Sequence, residues 1–184
     1  MSVVQSPSGT VIEARPAERP DFAQRCLNLA SEDAGARVLA CSDEFFADAQ
    51  RCLQSSSPVF VVGKFDDNGK WMDGWETRRR RQGGHDFAIV QLAFPGRITG
   101  LDIDTSHFTG NFPPAASVQA CHSASPPDTS TSWTEIVPST PLSGNAHHFI
   151  GLVDDDRVWT HLRLNIYPDG GVARFRAYGQ PVVD

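Results

Sequence analysis

Between Val158 and Tyr167 the residue character alternates. Val158, Leu162, Leu164 and Ile166 lie on one face of an extended chain; Trp159, His161, Arg163, Asn165 and Tyr167 lie on the other. Side chains of a strand alternate between faces, whereas a helix groups residues three and four apart. The stretch is therefore a strand with one buried face. Pro168-Asp169-Gly170-Gly171 ends it with turn-forming residues, and Val172 to Tyr178 returns. Phe87–Phe94 is apolar almost throughout, as expected of a strand covered on both faces. Residues 95–97 read as a loop, and Ile98–Asp104 as a separate strand in which Leu101 and Ile103 alternate with Asp102 and Asp104. Ala116–Cys121, Trp133–Val137 and Phe149–Val153 add further short strands. Such spacing, with Gly/Pro turns, predicts an antiparallel β-sandwich.

The first third is less regular. Residues 1–22 carry Pro7, Pro16, Pro20 and Gly9 and read as a loose arm, leaving 23–184 as one domain. Phe22–Ala30 reads as a short helix or turn, and Gly35–Cys41 as a strand. Ser42, followed by Asp43 and Glu44, reads as the N-cap of a helix to about Leu53. Val59–Val62 is a strand fragment and Asp66-Asp67-Asn68-Gly69 a turn.

A net charge of −6 argues against nucleic acid as a partner; the basic run Arg78–Arg81 reads as a solvated or internally paired turn rather than a phosphate patch. The four cysteines form no C-x-x-C pair and read as free thiols of a reducing compartment, the cytoplasm. No leader is evident at the N-terminus, and no run approaches the ~20 apolar residues of a membrane span.

Lys70–Asn111 concentrates acids, bases and amides without packing duty, beside Trp71 and Trp75. If successive strands run antiparallel, loops 72–86 and 105–114 and the Pro168–Gly171 turn arrive at one end of the sandwich. Glu76, His85, Asp104, His107, Asn111 and Asp169 then share a rim. His107 beside Asp104 suits proton transfer. His122, His147 and His148 read as structural, and His147 and His148, as strand neighbours, cannot face one ligand. A divalent metal held by His85, His107 and His161 is compatible with the sequence, but no spacing calls for one, and no motif calls for a cofactor.

Several stretches together resemble the allantoicase family. They are Lys70-Trp71-Met72-Asp73-Gly74-Trp75-Glu76-Thr77-Arg78-Arg79, Gly84-His85-Asp86, Asp104-Thr105 with Phe108-Thr109-Gly110-Asn111, and Arg163 through Arg174. The resemblance covers roughly residues 26 to 179. It implies an all-β antiparallel jelly-roll sandwich of the galactose-binding kind, here with short N-terminal helices. It also implies hydrolysis of allantoate and water to ureidoglycolate and urea, within purine breakdown. The family joins two copies of this unit, and the present residues match the first, so a homo-oligomer is expected. That chemistry needs an acid for the leaving urea, a base for water and a guanidinium for the carboxylate. The expected roles are His107 and Asp104 as the acid/base pair, Glu76 and His85 as competitors, and Arg163 on the carboxylate. Asn111, Asn165 and Gln119 are expected on the ureido groups, with Asp169 beside them. The rival readings are a carbohydrate or small-ligand binding module and a hydrolase of a related ureido compound such as ureidoglycolate.

Overall fold

The computed structural model describes residues 2–6 and 9–183. Its strands, in order, are β1 (Val3–Ser6), β2 (Gly9–Glu13), β3 (Leu27–Asn28), β4 (Arg37–Cys41), β5 (Val59–Val61), β6 (Phe65–Asp66), β7 (Gly69–Lys70) and β8 (Trp75–Glu76). Then come β9 (Asp86–Asp104), β10 (Ala115–Cys121), β11 (Thr134–Pro141), β12 (His147–Gly151), β13 (Trp159–Tyr167), β14 (Gly171–Val172) and β15 (Arg174–Pro181). One short helix, α1, spans Asp21–Arg25.

The two expected strands at 87–94 and 98–104 are one strand, β9, which both halves of the sandwich share. Its first part pairs with β13 and β4, and its second part with β15 and β12. The residues expected as a loop, Pro95–Arg97, lie within the ladder: Gly96 pairs with both Trp159 and Pro181. Gly96 allows the bend because a Cβ there would meet Leu29 Cδ1 at 2.4 Å and Gln180 O at 2.8 Å. The first sheet runs β11-β10-β13-β9-β4, and the second runs from β12 through β9 and β15 to β3.

From Leu162 onward the β13 alternation predicted from sequence sets the core; at the start of the strand a register shift between Trp159 and His161 puts Trp159, not Val158, into the core. Leu162, Leu164 and Ile166 are wholly buried against Ala88, Val90, Ala116, Val118 and Ala120. In β9 the phase then changes. Ala88, Val90 and Leu92 point inward in the first half, Leu101 and Ile103 in the second. The cause is a bulge: Tyr178 pairs with Gly100 and Gly179 with Ile98, leaving Thr99 as the extra residue. One extra residue inverts the side-chain parity, so Asp102 and Asp104 turn away from the core.

Two local expectations fail. No α-helix starts at Ser42; a 3-10 turn covers Ala49–Leu53, capped by Asp48. The reason is competition: Ser42 Oγ donates to Asp86 and accepts from Phe87 N–H, and the Asp43 carboxylate takes Arg78 at 2.7 Å. The stretch read as a loose arm also contains β1 and β2, which form a hairpin and add β5. The paired tryptophans do fold against partners. Trp75 is wholly buried with Nε1 donating to Asp43 O, and Trp71 lies between Lys64 and Arg51. All four cysteines are free, and burial with the nearby Glu44 raises the Cys41 thiol to about 12.

Gly171 faces the wholly buried Phe108, whose Cε1 lies 1.9 Å from where a Cβ would stand. Gly171→Ala should therefore destabilise the protein by about 2–3 kcal/mol. A urea midpoint within error of wild type would refute this.

Candidate functional site

The turn after β13 is the point on which the rim is built. Asp86 N–H donates to Pro168 O, and Gly171 N–H to Asn111 O at 2.7 Å. Thr77 bonds Gly170 in both directions, N–H to O and Oγ1 from N–H. Arg80 N–H donates to the Asp169 carboxylate at 2.6 Å, and β8 pairs with β14 through Glu76 and Gly171. Glu76, His85, Asn111 and Asp169 therefore meet around one turn, as the strand count requires. The bend of β9 does the work expected of a loop, because it returns Asp104 to the end from which Asp86 left.

Glu76 is half-buried, and its Oε1 accepts from Asn111 Nδ2 at 2.6 Å. Burial raises its pKa above the ordinary 4.5; Asn111 works against this, Asp66 adds to it and Lys70 opposes it. Glu76 is thus a carboxyl group biased toward its protonated form, with an amide already in place.

On the outward side of the first sheet a hydrogen-bonded chain begins at the same turn. Asn165 Nδ2 donates to Gln119 Oε1 at 3.1 Å and to Ser117 Oγ at 3.3 Å. Its Oδ1 is left to accept from His85 Nε2 at 3.1 Å, which places a ring proton on Nε2. That ring packs against Tyr167, whose hydroxyl bonds Ser117 Oγ at 2.8 Å. Arg163 lies one strand pair along, its guanidinium 4.3 Å over Phe87. Its Nε is buried without a hydrogen-bond partner among the described residues. A buried donor left unpaired costs free energy until something accepts from it.

Asp104 and His107 do not form the expected pair. Asp104 is wholly buried and accepts from Ser106 N–H and Oγ and from Arg176 Nη1. His107 donates its backbone N–H to Asn145 Oδ1, and its Nε2 faces Pro58 O at 3.2 Å. The parity inversion at Thr99 is why: it aims Asp104 at the outer face of the second sheet. There it joins Asp102, Arg176 and His147, which sequence reasoning did not select. The alternation of Leu101 and Ile103 with Asp102 and Asp104 already places the two aspartates on one face, away from the core; the pairing that brings Arg176 and His147 to them leaves no trace in the local pattern.

The suggested trio His85, His107 and His161 is not assembled. His161 is buried and bonded to Thr160. Among the described residues, Asp102, Asp104 and His147 are the group whose ligand atoms lie within 4.8 Å of one another. Two carboxylates and an imidazole suit a divalent cation. However, Arg176 Nη1 already bonds both carboxylates, at 2.9 and 3.1 Å, and a cation would have to displace it. In the arginine run, Arg78 is paired with Asp43 and Arg80 with Asp86, while Arg79 and Arg81 are exposed to solvent.

A two-sheet jelly roll with its polar groups gathered at one end is a galactose-binding-type sandwich. A family 32 carbohydrate-binding module from C. perfringens, solved in complex with galactose, has the same fold, with TM-score 0.55 and 12% identity over 82% of this chain and 98% of that one. Within that class, residues 27–182 match the family model of the allantoicase repeat, and the chain belongs to the allantoicase family. A probable allantoicase of Ralstonia nicotianae is 59% identical over 166 residues, 90% of this chain and 49% of the relative. Allantoicase of Saccharomyces cerevisiae superposes with TM-score 0.73 at 32% identity, over 88% of this chain and 51% of that one. The chain spans about half the length of the curated relatives it matches.

The raised Glu76 pKa fixes a sign. Stability drawn from the neutral carboxyl is fully present below about 4.5 and is lost as pH rises through the higher folded value. Glu76→Gln should then be more stable than wild type at pH 7, with the gap closing below pH 4.5. Equal thermal midpoints at both pH values would contradict the assignment.

Proposed function

We propose that the chain hydrolyses allantoate to ureidoglycolate and urea. The observation that carries this is the packing of the family-like stretches around the Pro168–Gly171 turn, with Glu76 biased toward its protonated form among them. Allantoate offers one carboxylate and two ureido groups on one carbon. Arg163, with an unused buried Nε–H, takes the carboxylate. Asn111, Asn165 and Gln119 take ureido oxygens and N–H groups. Asp169 holds the Arg80 backbone and so positions the loop before His85.

In the reaction one carbon–nitrogen bond breaks. His85 Nδ1 removes a proton from water, the resulting hydroxyl joins the carbon, and Glu76 gives its proton to the departing nitrogen, which leaves as urea. Asp104 and His107 act as scaffold. A water proton taken up by His85 and a proton released by Glu76 leave the overall count balanced.

The likeness to carbohydrate-binding modules supports a second reading, a small-ligand binder without turnover. Assays of urea and ureidoglycolate from allantoate separate the two, and saturable binding without product favours the second. On the first reading Glu76→Gln and His85→Ala each lower kcat by about 10²–10⁴-fold, the usual worth of a positioned proton-transfer group. Wild-type turnover in both variants would remove the rim from the chemistry.

Two such units working together is our further reading, with a homo-oligomer supplying the second. Phe45 and Leu27 stay 45% and 59% exposed and are available for such a contact. Free thiols fit work in a reducing compartment such as the cytoplasm. Light scattering after size exclusion should give at least twice the 20.1 kDa chain mass, and a fully active monomer would end the oligomer reading.

A further inference from the structure

The rim leaves one set of ionisable groups unused, on the outer face of the second sheet. There Asp102 Oδ2 accepts from His147 Nδ1 at 2.8 Å and from Arg176 Nη1 at 2.9 Å. The His147 ring stacks on Phe149, 5.3 Å between centroids and 4° from parallel. Residues 13–19 pass across this face and enclose a cleft of about 700 Å³, within the range of small-molecule sites.

Two observations give the cleft a chemistry. First, Asp102 is 1% exposed, and its Oδ1 has no hydrogen-bond partner among the described residues. A buried carboxylate oxygen in that state needs a donor. Secondly, Arg15, Arg19 and Arg176 line the cleft with His147, against Asp102 and Glu13 alone among lining acids. Arg176 is taken by Asp102 and Asp104, so the charge left to meet a ligand is that of Arg15 and Arg19 against Glu13, which favours an anion. Arg19 lies over Tyr178, which with Phe149 supplies an apolar wall. A lone water could meet Oδ1, but it would leave the guanidinium groups of Arg15 and Arg19 without an anion.

We propose that this cleft is a second small-molecule site, for a carboxylate that also carries an N–H donor, as an N-carbamoyl or N-acyl amino acid does. The carboxylate lies against Arg15 and Arg19, and the N–H meets Asp102 Oδ1. The site uses none of the rim residues and stands independently of the proposed hydrolysis.

The test is a titration of the full chain with N-carbamoylglycine and, separately, with acetate, following the His147 imidazole by NMR. N-carbamoylglycine should shift the His147 signals saturably, and acetate, which lacks the N–H, should bind about ten-fold or more weakly. Arg15→Ala, at an exposed residue, should weaken binding with an unchanged thermal midpoint, and Arg15→Ala combined with Arg19→Ala should weaken it by a similar factor to the loss of the N–H. Glu76→Gln should bind as wild type does, so failure of the rim chemistry and failure of this site are distinguishable. No saturable shift at His147, equal affinity for acetate, unaltered binding in the double variant, or shifts confined to His85 would each overturn the proposal.

Discussion

Every part of this molecule that bears chemistry depends on the bend in β9. A straight strand of its length would separate its ends by roughly 60 Å at ~3.3 Å per residue. Instead Asp86 pairs with Ile166 and Asp104 with Arg174, residues at the two ends of one short connection. The bend at Pro95–Gly96 makes this possible, and β13 and β15 follow it on either side. The Pro168–Gly171 turn is thereby held between two sheets, and the loops carrying Glu76 and Asn111 close on it by backbone hydrogen bonds. A rim assembled by backbone bonds to a turn is well suited to hold side chains still, which is what proton transfer demands.

Two arginines of β15 extend this order to the loops. Arg174 is wholly buried and donates to the carbonyls of Ser56, Asp73 and Ala173 and to the Asp73 carboxylate. Asp73 also takes Arg51 at 2.8 Å and the Val59 N–H at 2.9 Å. Burying such charges is costly, and removing one partner of the set would strand another. The set therefore specifies where the loop before β8 must lie. Arg176, two residues on, faces the same way and fixes Asp102 and Asp104 instead. The two arginines share one face of one strand, yet one organises the approach to the rim and the other the floor of the cleft.

Glu76 and His85 show two ways of preparing a group. Glu76 is tuned by burial, with a single amide and a lysine opposing it. The His85 ring is instead oriented by a relay: the Asn165 amide is held by Gln119 and Ser117, and that orientation leaves only an acceptor for His85 Nε2. Asn165 lies on the polar face of β13, and its contact with Gln119 follows from the β10–β13 register, in which Gln119 pairs with Arg163 and Ser117 with Asn165.

The sequence by itself determined the strand character of β10 and β13, the Pro168–Gly171 turn, the sandwich class and the gathering of Glu76, His85, Asn111 and Asp169. These rest on period-two alternation and turn chemistry, which are local properties of the chain. Tertiary structure alone decided the rest. That 87–94 and 98–104 are one strand depends on partners far along the chain. That Asp104 leaves His107 for Arg176 depends on the single extra residue at Thr99, chosen by its register against Tyr178 and Gly179. Ser42 capped no helix because Asp86 and Phe87, over 40 residues on, bound its hydroxyl first. Local pattern fixes the period of a strand and which of its faces is buried, but only pairing decides which partners a side chain on the other face will meet.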